Sequence, residues 1–177
     1  MKKYEFTGET KEIRLLFRTA TLHRIRATVA FGIVEVGDLG GWIEKEENLS
    51  HEGKAWVCGD AEVCGDAKVC GDAKVCGDAK VWGNAEVCGD AKVFSASHVL
   101  VIGAIGSRND FTTFYRDKDN EITVKCGCFL GKIDRFLEKV TQTHGDSKYA
   151  LVYRAAVEVA KLQIDLSGEA PKDADEE

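Results

Sequence analysis

The strongest constraint on this chain is a six-residue period. From Ala55 to Val93 it reads AWVCGDAEVCGDAKVCGDAKVCGDAKVWGNAEVCGDAKV, a unit V-C-G-D-A-K repeated about seven times. Val recurs at 57, 63, 69, 75, 81, 87, 93 and 99, and Ala at 55, 61, 67, 73, 79, 85 and 91. The β-branched Val suits a strand and points inward. Ala, four residues later, is small enough to pack inside near a tight corner. Gly-Asp, and Gly-Asn once, supply the backbone angles that corners require. Proline would remove a ladder hydrogen bond from stacked strands, and the single Pro171 lies in the C-terminal tail.

This unit resembles the hexapeptide repeat of left-handed parallel β-helices, in which three hexapeptides make one triangular coil of roughly 18 residues, each rising by the strand spacing of about 4.8 Å. The expected fold is mainly β: a short left-handed parallel β-helix with an N-terminal β cap and a C-terminal α/β cap of one hairpin and two helices. A spacing of 18 stacks Val57, Val75 and Val93, and likewise Val63, Val81 and Val99. On the outside it sets Glu62 over Lys80 and Lys68 over Glu86, each pair contributing about 0.5 kcal/mol, with Lys74 and Lys92 the one like-charge pair. Ile43 and Leu49 keep the spacing upstream, after which His51-Glu52-Gly53 shifts the register by about two residues.

The flanks read differently. Residues 1–31 are expected to form a β cap, with Tyr4-Glu5-Phe6 and Ile13 to Phe17 as two short strands and Ile25, Ala27, Val29 and Phe31 alternating with polar residues. Residues 32–105 are assigned to the β-helix, with regular repeats over 55–99, and 106–167 to an α/β domain. There, Phe111–Arg116 and Glu121–Cys126 flank a turn. Ile133, Phe136, Leu137 and Val140 mark one amphipathic helix, stopped by Gly145. A second helix follows, with an apolar stripe through Tyr149, Val152, Tyr153, Ala156, Val159 and Ala160 that suits either the end of the β-helix or another subunit. Residues 168–177 are acidic and expected to be disordered.

Five of the seven cysteines, at 58, 64, 70, 76 and 88, occupy one repeat position beside the inward Val and are expected to point outward. Stacking sets Cys58 over Cys76 and Cys70 over Cys88, within disulfide range. In-register strands hold the Cβ vectors nearly parallel, however, and a cytosolic setting is reducing. The reading is therefore a semi-apolar ladder rather than a disulfide framework, with metal or redox chemistry and a buried interface as alternatives. Cys126-Gly127-Cys128 is a CxC whose alternation places both thiols on one strand face.

The whole chain resembles small hexapeptide-repeat proteins of bacteriophage and prophage genomes, often labelled polymer-forming or β-helix proteins. The resemblance rests on Arg24 to Ala27 with Gly37 to Glu44 and Asn48 to Ser50, on the repeat, and on Ile105 to Asp110 with Cys126 to Phe129 and Thr143 to Gly145. It implies a phage protein acting in the cytoplasm of the bacterial host and no established catalytic activity.

Composition narrows the function. A net charge of −6 argues against general nucleic-acid binding. No run approaches about 18 apolar residues, so no membrane span is expected, and Met1 to Glu5 lacks the apolar run of a signal peptide. Hexapeptide acyltransferases need a general-base His at a cleft, and only His51 and His98 border the repeat, both read as corner residues. A three-His zinc site is not expected from His23, His51, His98 and His144, so no metal and no cofactor is assigned. The candidate ligand-binding residues are Ser107, Arg108, Asn109, Asp110, Thr112, Thr113 and His144, with Arg108 able to grip an anion bidentately or simply to pair with Asp110. Arg14, Arg18, Arg24 and Arg26 form a possible anion or partner patch in the basic N-terminal segment. The expected protein is a non-enzymatic homo-oligomer, a trimer first, that binds a host protein or a small anionic or nucleotide ligand and counteracts host defence. The alternatives are an acyl-CoA-dependent acyltransferase and a self-assembling scaffold.

Overall fold

A computed structural model describes residues 1–168; apart from Gly168, the segment expected to be disordered lies outside the described residues. Strands β1 (Tyr4–Arg14) and β2 (Thr19–Ala27) form a long antiparallel hairpin, closed by the Leu15 N–H donating to Arg18 O. The two short strands expected here are one continuous β1, kinked by a bulge at Gly8. Strand β2 pairs in turn with β3 (Leu39–Ile43). The repeat then supplies seven strands of two residues: β4 (Trp56–Val57), β5 (Glu62–Val63), β6 (Lys68–Val69), β7 (Lys74–Val75), β8 (Lys80–Val81), β9 (Glu86–Val87) and β10 (Lys92–Val93). Beyond them run β11 (Val99–Ile105), β12 (Asp110–Arg116), β13 (Ile122–Cys126), β14 (Phe129–Lys132), α1 (Ile133–His144) and α2 (Lys148–Gln163).

The expected left-handed β-helix is corrected by this arrangement. Among the described residues the strands fall into four small sheets, ordered β1-β2-β3-β5-β8, β10-β7-β4, β6-β9 and β11-β12-β13-β14, and no continuous β-helix is formed. Short parallel pairs coexist with long antiparallel ones, and β5 and β8 extend a sheet whose long members are the antiparallel β1 and β2. The physical reason is strand length. Each corner glycine from Gly59 to Gly89 holds φ between 64° and 72°, which ends the extended run after two residues. Long strands form only in the flanks, where the chain reverses by hairpins. Val99, expected to stack on Val81, instead opens β11 and pairs antiparallel with Tyr115.

Within the repeat, the 18-residue offset sets the local pairing. Val57 pairs with Val75, Val75 with Val93, Val63 with Val81 and Val69 with Val87, all essentially inaccessible to solvent. Upstream the offset is 20, with Ile43 on Val63 and Leu49 on Val69, which accommodates the two-residue shift at His51–Gly53. Each buried Val contributes about 1.5–3 kcal/mol. The stack also explains the glycines: a Cβ on Gly59 would lie 3.1 Å from the backbone nitrogen of Gly77 in the next rung. Glu62 stacks on Lys80, Lys68 on Glu86 and Lys74 on Lys92 as expected, but the two glutamates form their ion pairs elsewhere. Glu62 pairs with Lys11 of β1 at 2.9 Å and Glu86 with Lys125 of β13 at 3.2 Å, so the flanking sheets supply the counter-charges.

The cysteine ladder also differs. Cys58 is bonded to Cys76 and Cys70 to Cys88, with Cα separations of 4.5 and 4.6 Å. These residues sit one position past the two-residue strands, at the entry to the glycine corners. Cys64 is fully buried rather than exposed, in a region where the tip of the β1–β2 hairpin meets Glu44. Burial pushes its thiol pKa up to about 11.

Strand β12 joins the two halves of the molecule. Alternation sends Tyr115 into the repeat core, where its hydroxyl donates to Cys88 O at 2.8 Å, and Phe114 into the core under the helices. The α2 stripe covers this sheet through Ala150, Tyr153, Ala156, Val157 and Ala160, while Val152 and Val159 face solvent. At the other end Lys3 donates to Ala55 O at 2.7 Å, and Tyr4 stacks on His51 and donates to Leu49 O.

Candidate functional site

Three distant pieces of sequence converge beside α1 and α2. The β11–β12 turn carries Ser107, Arg108 and Asp110; the β13–β14 turn carries Cys126, Gly127 and Cys128; the end of α1 brings His144 and the second turn of α2 brings Tyr153. They line a groove of about 190 Å³. The first turn is closed by the Asn109 N–H donating to Gly106 O, with Asn109 at φ 49°, a conformation that Asn tolerates. Gly106 is required twice: its φ is 74°, and a Cβ there would overlap the Tyr153 hydroxyl.

The floor of the groove is aromatic. His144 stacks on Tyr153 with ring centres 5.7 Å apart, Phe136 meets Tyr153 edge-on at 5.6 Å, and Phe129 packs on Phe136. The rim is polar and mostly cationic, with Arg108 and Lys139 against Asp110. Burial, then the neighbouring Cys126 thiol, pushes the Tyr153 phenol up to about 12, with Arg108 opposing and Asp110 reinforcing the shift. The phenol is therefore a hydrogen-bonding group at neutral pH, not an acid. Among the described residues no carboxylate pairs with Arg108. Asp110 instead accepts the Phe111 N–H at 2.7 Å, so the simple Arg108–Asp110 pair is not formed.

Of the candidate residues, Ser107, Arg108, Asp110 and His144 share this groove. Asn109 shapes the turn. Thr112 is buried and donates to Cys126 Sγ at 3.3 Å, supporting the groove from beneath. Thr113 lies elsewhere: its hydroxyl accepts the Glu86 N–H and ties the sheet to the repeat block. In the arginine patch, Arg18 holds Glu44 bidentately at 2.5 and 2.8 Å, Arg26 holds Glu5 at 2.7 Å, and Arg24 lies over the Trp42 ring. Those three guanidiniums serve the fold; Arg14, opposite Thr19 at the end of β1, forms no ion pair among the described residues. Cys126 and Cys128 flank a glycine turn rather than sharing a strand face. Sequence reasoning missed Tyr153, Lys139, Phe129 and Phe136 as lining residues, because helical periodicity marks Phe136 and Tyr153 only as core.

The histidines near the repeat are engaged in structure. His98 is buried, accepts the Phe94 N–H at Nδ1 and has Arg116 3.2 Å from Nε2; burial and that guanidinium lower its pKa. His51 accepts the Lys3 N–H, and burial lowers its pKa. Among the described residues, no three His, Cys, Asp or Glu gather as metal donors, and no helix is long and apolar enough to cross a membrane. No protein-family model and no curated protein matches the chain.

Proposed function

We propose that this protein is a non-enzymatic binding module whose groove at Arg108 holds a small ligand with a flat ring and an acidic group. One observation carries the reading. Arg108, set on a turn and not neutralised by Asp110, stands over a floor made by His144, Tyr153 and Phe136. A guanidinium grips a phosphate or carboxylate bidentately, and the aromatic floor takes the ring by stacking. Nucleoside monophosphates have both parts. The acyltransferase reading lacks a base: His98 and His51 are hydrogen-bonded within the fold, and neither lines the groove.

The phage resemblance sets the context of this reading, a small binder acting against a pathway of the bacterial host. Oligomerisation, a trimer first, belongs to the same proposal. A cytoplasmic setting requires the repeat cysteines to stay reduced, whereas the two disulfides suit an oxidising compartment.

Isothermal titration with adenosine and guanosine monophosphates, against inorganic phosphate and acetyl-CoA, tests the assignment. Binding of a nucleotide that Arg108→Ala weakens at least tenfold, with thermal stability unchanged, supports it. Acetyl-CoA binding that survives Arg108→Ala, or nucleotide binding that the substitution leaves intact, refutes it. Light scattering coupled to size exclusion reads the oligomeric state, and a strictly monomeric chain removes the trimer.

A further inference from the structure

The Arg108 groove is small for a nucleotide. Its volume of about 190 Å³ falls below the roughly 300–1,000 Å³ of typical ligand sites, so a nucleotide seated there runs on past it. A second cavity, a trough of about 490 Å³, lies against the same sheet and shares Asp110 and Gly127 with the groove. Alternation along β12 separates the two. Thr112 and Phe114 point to the groove side, under the helices, whereas Phe111 and Thr113 line the trough, on the face turned to the repeat. The cavities therefore meet around the end of the sheet. Gly127 keeps that passage low: it carries no side chain, and a Cβ there would have Arg108 Nη1 as a neighbour at 3.9 Å. Arg108 thus stands at the junction, with the aromatic floor on one side and the trough on the other.

The trough differs from the groove in chemistry. Its ions largely answer one another: Lys45 pairs with Asp66 at 2.9 Å, and Lys125 with Glu86 at 3.2 Å. Lys68 and Glu47 add one charge of each sign, and Asp110 tips the sum toward the acidic side, so a second anion gains nothing there. What the trough offers is a dense set of donors and acceptors, ammonium groups, carboxylates and the Asn84 amide, around the half-buried ring of Phe111. Vicinal hydroxyls donate and accept at once and match such a set, and the ring takes the apolar C–H face of a sugar.

Resting on the nucleotide reading of the groove, we propose that the ligand is a nucleoside diphosphate sugar, with its sugar in the trough. The base lies on the His144–Tyr153 floor, Arg108 grips the diphosphate at the junction, and the sugar sits beside Asn84, Glu47 and Phe111. The order of the parts follows from the position of Arg108 between the two cavities, since the diphosphate is what joins base and sugar in such a ligand.

Isothermal titration of the full chain with ADP-glucose and GDP-mannose, against ADP, GDP and the two monophosphates, tests the proposal. At least one sugar nucleotide should bind tenfold or more tightly than its parent diphosphate. Asn84→Ala and, separately, Glu47→Gln should reduce that gain several-fold and leave the affinity for the diphosphate unchanged, whereas Arg108→Ala weakens both ligands. Sugar nucleotides that bind no tighter than their diphosphates overturn the inference and leave the nucleotide reading of the groove standing. A gain that survives both substitutions puts the sugar outside the trough and overturns it as well. A chain that binds none of these nucleotides overturns the inference together with the reading on which it rests.

Discussion

Breaking one cysteine pair tests the repeat at its most informative point. Each of the two bonds, Cys58–Cys76 and Cys70–Cys88, closes a segment with a sequence separation of 18. Loop-closure entropy for that length, taken from the unfolded chain, is about 3 kcal/mol per bond at 25 °C. For a chain of this size that is a fall in Tm of roughly 6–12 °C when Cys58 and Cys76 are both replaced by Ala. Alkylation in denaturant without reductant should label the three remaining thiols, Cys64, Cys126 and Cys128, and all seven after reduction. Reduction of the wild type should lower Tm toward that of the double variant and below it, since the second bond opens too. Seven labelled thiols without reductant, or a Tm that reduction does not move, would refute the assignment and return the cysteines to an open ladder.

Other consequences follow from particular contacts. Val75→Ala, in the middle of the Val57–Val75–Val93 stack, should cost about 2–3 kcal/mol in urea unfolding, whereas Val152→Ala on the exposed side of α2 should stay within about 0.5 kcal/mol. Tyr115→Phe removes the donor to Cys88 O and should cost about 1–2 kcal/mol. Burial raises the pKa of the Tyr115 and Tyr4 phenols above the ordinary 10.0, so the folded state keeps protons that the unfolded state loses. Stability is intact below pH 10 and falls as pH rises beyond it. Lys3, lowered to about 8 by burial, works the other way between pH 8 and 10.5, so alkaline unfolding curves should turn down only above that window and less steeply in Tyr115→Phe. Gly106→Ala drives a methyl into the Tyr153 hydroxyl and should abolish nucleotide binding at the groove while urea unfolding still shows one cooperative transition.

The sequence was most legible where one residue meets its own repeat. Val57, Val75 and Val93 pair because a fixed offset of 18 brings like to like, and the glycine corners follow from the same arithmetic. The hairpin through Asp117–Asn120 and the helix beginning at Ile133 were visible for a similar reason, since both are set by neighbours a few residues apart. The groove was only half visible. Ser107, Arg108 and Asp110 stood out as one polar run, but Tyr153 lies 45 positions beyond Arg108 and carries the signature of any buried helix residue. The arginine run does not record its partners: Glu44, just after β3, and Glu5, in β1, reach Arg18 and Arg26 from elsewhere in the chain.

By itself, then, the sequence determined the repeat's periodicity, the inward valines, the corners and the offset at which strands pair, since these depend on local backbone geometry and self-similarity. The tertiary structure alone decided how the short strands are shared among sheets, that the stacked cysteine pairs are bonded, where the charged rungs find counter-charges, and that Tyr115 and Phe114 pin two cores to opposite faces of one strand. The physical reason is common to all of these. Two-residue strands carry too little ladder to dictate their own sheet, so the long flanking strands and side chains far away in sequence settle the arrangement.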